Sequence, residues 1–132
     1  MLDRARFETW AYTALRFIAG FLFLFHGAQK LLGVFATRPP PEVFSQIWFG
    51  GIIELVGGTL IALGLFTRPA AFISAGEMAV AYIQFHWKGA FGASFFPINN
   101  KGELAVLFCF LFLFISVRGP GPISIDRQLG RA

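Results

Sequence analysis

The chain has 132 residues, 56% hydrophobic and only 14% charged, whereas a soluble domain carries charge on about a quarter of its positions. A net charge of +4 is not gathered into a basic face with stacking aromatics, which argues against nucleic-acid binding. Cys109 is the sole cysteine, so an internal disulfide, a CxxC redox pair and a cysteine metal cluster are excluded, and no metal site is expected.

Four stretches approach the roughly 20 apolar residues that a membrane-spanning helix needs: 9–34, 47–66, 69–87 and 102–117. In the first, Arg16, Ala19, Gly20, Phe23, His26, Gly27 and Lys30 share one face at about 100° per residue. That face is expected to look inward. Arg16, Gln29 and Lys30, with no small-x-small cleavage site, argue against a removed signal peptide, so the N-terminus is expected to stay. Residues 35–46 are proline-rich and break the helix. In the second stretch Glu54 shares a stripe with Gly50, Gly51, Gly57 and Gly58, small residues that let helix backbones approach closely.

Thr67-Arg68-Pro69 makes a tight turn with proline at a helix start. Glu77 and Gln84 then share a face of the third stretch with Ala81 between them, while His86 projects elsewhere. Residues 88–100 mix glycine with Phe91, Phe95 and Phe96, a composition suited to the headgroup layer, either as an interfacial anchor or as a lid. After the fourth stretch the tail from Gly119, with Pro120, Pro122, Asp126, Arg127 and Arg131, reads as a short surface segment.

Short connections predict a single all-α domain over 1–132, an integral membrane four-helix antiparallel bundle. Arg4, Arg6, Arg68, Arg118, Arg127 and Arg131 fall on one side, against Lys30, Arg38, Lys88 and Lys101 on the other. The positive-inside preference therefore predicts both ends in the cytoplasm.

An ionisable group near mid-bilayer costs about 2.5 to 3.5 kcal/mol on insertion scales, so each should face the interior and find a partner. The helical rise places His26 and Glu54 each about 10 Å below the outer surface, close enough to meet. From the inner side Arg16 lies about 9 Å deep and Glu77 about 13 Å, and these two are expected to form a buried ion pair. One reading of such pairs is that they only fix helix register, since breaking a buried pair is costly whether or not it does chemistry. The polar groups nevertheless concentrate in the outer half, where His26, Lys30, Glu54, Gln84 and Glu103 are the candidate ligand-binding residues of an outward-facing cavity. Asn100-x-x-Glu103 also matches a capping box, the preferred reading of Glu103.

The ordered landmarks resemble the DoxX family over nearly the whole chain. They are Arg16, His26-Gly27-x-x-Lys30, Glu54-x-x-Gly57-Gly58, Leu63-Gly64-Leu65-x-Thr67-Arg68, Phe96-Pro97-x-x-Asn100-x-Gly102-Glu103 and Gly119-Pro120-Gly121-x-x-Ser124-x-Asp126. The resemblance implies a four-helix, multi-pass protein of a bacterial inner membrane, related to the large subunit of an archaeal thiosulfate:quinone oxidoreductase. Other members are tied to redox stress, quinone detoxification, or a membrane complex with a sulfurtransferase and a superoxide dismutase.

The leading expectation is a redox-associated subunit whose cavity binds a quinone or similar small molecule, with His26 and Glu54 exchanging a proton with its oxygen. An alternative is a non-enzymatic scaffold that docks a membrane or soluble redox enzyme through its outer loops and tail. A third reading, a b-type haem held by His26 and His86, rests on two histidines alone. A homo-oligomer is compatible with all three.

Overall fold

The computed structural model describes residues 3–131, and within them every regular element is helical. Helix α1 (Arg4–Leu32) opens on Asp3, whose carboxylate accepts from Ala5 N at 3.2 Å, and closes at Gly33 in the left-handed region, φ 71°. The first helix thus starts five residues before the apolar stretch, because the capping aspartate and the amphipathic turn behind it extend it. Ser45 caps α2 (Gln46–Ile52), accepting from Trp48 N at 3.2 Å. A π-helical turn, Ile53–Gly57, then carries the chain without a break into α3 (Gly58–Leu63).

Helix α4 (Thr67–Ala81) runs into a second π-helical turn, Tyr82–Trp87. After an exposed loop, the four-residue α5 (Pro97–Asn100) leads to α6 (Glu103–Arg118), and a tail segment ends in the single turn α7 (Ile125–Gln128). Two helical stretches, Arg4–Leu32 and Gln46–Leu63, are long and apolar enough to cross a membrane.

Helix α1 packs along the α2–α3 stretch, and α4 along α6. Phe23 packs in the centre against Phe108 and Phe112, with ring centroids 5.4 and 4.7 Å away respectively, and the latter two rings stack on each other. Small residues set the distance between α1 and α2–α3. A methyl on Gly58 would come 2.5 Å from Leu24 N and 2.7 Å from Gly20 O, so the two backbones touch. Gly51 also faces α1, whereas Gly50 and Gly57 face α4, where Glu77 and Ser74 lie over them. Outside this core the apolar side chains are exposed, among them Phe72, Leu107 and Phe110 at about two-thirds of full exposure.

The Arg16–Glu77 ion pair expected from depth does not form. Arg16 instead spends its guanidinium on backbone carbonyls, donating to Ile61 O at 3.1 Å, Ala62 O at 3.5 Å, Ile123 O at 3.0 Å and to Pro120 O. Ile61 and Ala62 lie in the last turn of α3, whose carbonyls form the negative end of the helix dipole even where one, Ile61 O, also accepts from Gly64 N at 3.1 Å, so the end of α3 can take the place of a carboxylate. The tail is correspondingly not a surface segment over its whole length. Pro120, Ser124 and Asp126 are buried against the turn that joins α3 to α4.

Asp126 completes this knot from the other side. Its carboxylate accepts from Phe66 N and Thr67 N, both at 2.9 Å, and from Thr67 Oγ1 at 2.8 Å, while its own amide donates to Gly64 O. An anion from the tail therefore caps the start of α4 while a cation from α1 caps the end of α3. Arg68 repeats the device by donating to Ser116, Val117 and Arg118 carbonyls at the end of α6.

Candidate functional site

At the opposite end a cavity of about 580 Å³ opens among all the helical stretches. The end of α1 contributes Phe23, His26 and Lys30; the following loop adds Arg38; the α2 stretch adds Ile47 and Glu54. Met78, Ala81, Phe85 and His86 come from α4 and its π turn, Lys101 from the kink before α6, and Leu104, Ala105 and Phe108 from α6 itself. One wall is thus aromatic and aliphatic, and the polar groups come from the last turns of α1, the π turns that carry Glu54 and His86, and the loops.

Glu54 is buried, and its Oε1 accepts from Lys30 Nζ at 2.7 Å. Its Oε2 has no hydrogen-bond partner. His26 borders the same cavity with its ring edge-on to Phe108, centroids 6.2 Å apart. Lys30, for which no contact with Glu54 was expected, therefore holds the carboxylate directly, while His26, expected to meet it, borders the same cavity. Lysine's longer side chain spans the gap, and its charge gives the stronger hydrogen bond.

His86 lines the cavity too, against expectation, and Gln84 does not. Both shifts come from the π turn over Tyr82–Trp87, which inserts an extra residue and rotates the side chains beyond it relative to a straight helix. Gln84 turns outward and its Oε1 accepts from Gln46 Nε2 at 2.6 Å. His86 Nδ1 lies 3.1 Å from Asn100 O. A carbonyl can only accept, so Nδ1 carries the hydrogen and Nε2 of the neutral ring is left as an acceptor.

Glu77 lies away from Arg16, half-buried, with its carboxylate over Gly50 and with Glu54 and Lys30 as the charges acting on it. Its Oε2 is buried without a hydrogen-bond partner. Glu103 is exposed and absent from the cavity wall. Nor does Asn100 form a capping box with it: Gly102 is the N-cap of α6, and Asn100 Oδ1 accepts from Gly102 N at 2.8 Å. Lys101, held at φ 61° between α5 and α6, breaks the register that a capping box needs.

Arg38, Lys101 and Phe108 had no sequence signal of a site, since the first two lie in polar connections and the third in a uniformly apolar run.

A family model described as DoxX matches residues 11–87. This chain belongs to the DoxX family. Across 136 positions it is 38% identical to an uncharacterized protein of Haemophilus influenzae, covering 97% of each chain. An uncharacterized membrane protein of Mycobacterium tuberculosis is 28% identical over 89% of this chain and 80% of its own length. The inner membrane protein YphA of Escherichia coli is 28% identical over 81% of each. No solved structure matches the chain. The DoxX match contains His26, Lys30, Arg38, Glu54 and His86, so most of the polar cavity lining falls within the family's shared region, while Lys101 and Asp126 lie beyond it.

Proposed function

We propose that this DoxX-family membrane protein is a four-span inner-membrane protein with both ends in the cytoplasm. Its outward-opening cavity binds a quinone or similar small molecule on behalf of a redox-associated membrane system. The observation that carries the reading is the cavity of about 580 Å³, walled by Phe23, Phe85 and Phe108 and bordered by Lys30, Glu54 and two histidines. Its size suits a drug-sized ring compound, and an apolar wall with a few convergent polar groups is the usual form of such sites.

The donors and acceptors match the two oxidation states of a quinone. Lys30 can donate to a quinone carbonyl, whereas the free Glu54 Oε2 and His86 Nε2 can accept from quinol hydroxyls. Glu54 and His86 would then accept the two hydroxyl protons while a redox-enzyme partner in the membrane withdraws the two electrons of the quinol, leaving the quinone. Four spans are supported by the continuous run of α4 and its π turn, 15 and 6 residues, and by the exposed apolar outer faces.

Purified protein titrated with 2-methyl-1,4-naphthoquinone should show saturable quenching of tryptophan fluorescence, weakened in Glu54→Gln. Absence of quenching with this quinone, together with unchanged quinone-linked activity in Glu54→Gln membranes, overturns the quinone reading.

A further inference from the structure

We propose that the cavity selects amphiphiles carrying an anionic oxygen head on an apolar body. This inference rests on the cavity's being a ligand site, and adds the charge of the occupant.

Three cations border the cavity, and they come from three separate segments: Lys30 from α1, Arg38 from the loop after it, and Lys101 from the kink before α6. Glu54 is the one carboxylate among the lining residues, and it is already committed to Lys30 at 2.7 Å. Three positive charges against one negative leave the lining at +2 with neutral histidines. Counting Glu77 behind Gly50 as ionised still leaves +1. Among the described residues no carboxylate lies within 4.0 Å of Arg38 or Lys101. The exposed acids nearest in sequence, Glu42 and Glu103, leave both cations unpaired.

The backbone at Lys101 bears on the same point. At φ 61° Lys101 closes α5 as its left-handed C-cap, and the turn it makes sets the residue at the cavity's edge just before α6. Holding cations on the outer side also runs against the positive-inside preference, which an anionic ligand at that mouth explains. Behind the cations the cavity reaches the buried Phe23, Met78 and Phe108. The ligand's apolar body belongs there, with its charged oxygen between Arg38 and Lys101, where neighbouring apolar walls weaken screening.

Full-length protein in nanodiscs of neutral lipid would be titrated with two matched pairs. The first is 2-hydroxy-1,4-naphthoquinone, an anion at pH 7, against its neutral 2-methoxy analogue; the second is octanoate against octanol. The anion should bind about tenfold tighter within a pair. That advantage should shrink between about 0.05 and 0.5 M salt, and fall severalfold in Arg38→Gln and Lys101→Gln, whose exposed side chains leave folding intact. A preference confined to the naphthoquinone pair supports a ring-bearing anion, and one confined to the octanoate pair an acyl anion. Equal binding of charged and neutral partners overturns the charge selectivity while leaving the ligand site standing. Failure of all four probes overturns the ligand site itself.

Discussion

Asp126 shows how one tail residue holds the end of the molecule opposite the cavity. Burial works against its charge, but the amides of Thr67 and Phe66, the Thr67 hydroxyl and the nearby Arg131 outweigh that and hold the carboxyl below its ordinary value. A depressed carboxyl contributes stability that is present above its unfolded pKa, about 3.9, and is lost as pH falls through the folded value. Asp126→Asn keeps the shape but removes the charge from the start of α4. It should cost about 1 to 3 kcal/mol at pH 7, the range for hydrogen bonds to a charged group and for a buried group left badly paired. Thermal unfolding in detergent checks this, and the difference from the parent protein should narrow below about pH 4. A pH-independent difference would mean that packing, and not charge, carries the effect.

At the level of elements, the contact between α1 and the α2–α3 stretch depends on glycines where the backbones touch. Replacing Gly58 by valine places side-chain atoms where Leu24 N and Gly20 O already stand, so the helices must separate. Overpacking of this kind costs about 1 to 3 kcal/mol or more, and Gly58→Val should lower the melting temperature. Gly76→Ala is the control, since a methyl there meets nothing and alanine favours the helix. Equal melting temperatures for the two variants would deny the tight crossing. The two π turns act differently, by rotation: one carries Glu54 and the other His86, and both residues border the cavity.

For the whole molecule, two ends with different chemistry define the proposed orientation. Arginines and Asp126 cap helix ends at the Gly64 turn, while lysines, Arg38 and the histidines surround the cavity at the other end. With both termini cytoplasmic, a cysteine at position 94 faces outward and one at position 128 inward. In a Cys109→Ala background, Ser94→Cys should react with a membrane-impermeant maleimide in intact spheroplasts. Gln128→Cys should react only after lysis. The opposite pattern would invert the topology and turn the cavity toward the cytoplasm.

The all-helical character, the membrane setting and the glycine crossing were readable in the sequence because each depends on residue type at helical spacing. So was the concentration of His26, Lys30 and Glu54 at one end, since polar groups within apolar runs stand out. The partnerships were decided only by tertiary structure. Arg16 found carbonyls and not Glu77, because the acceptors at a helix end and in a folded-back tail are backbone atoms, which every residue possesses and no pattern of side chains reveals. His86 reached the cavity and Gln84 left it because a π turn breaks the 100° progression on which any reading of helical faces depends.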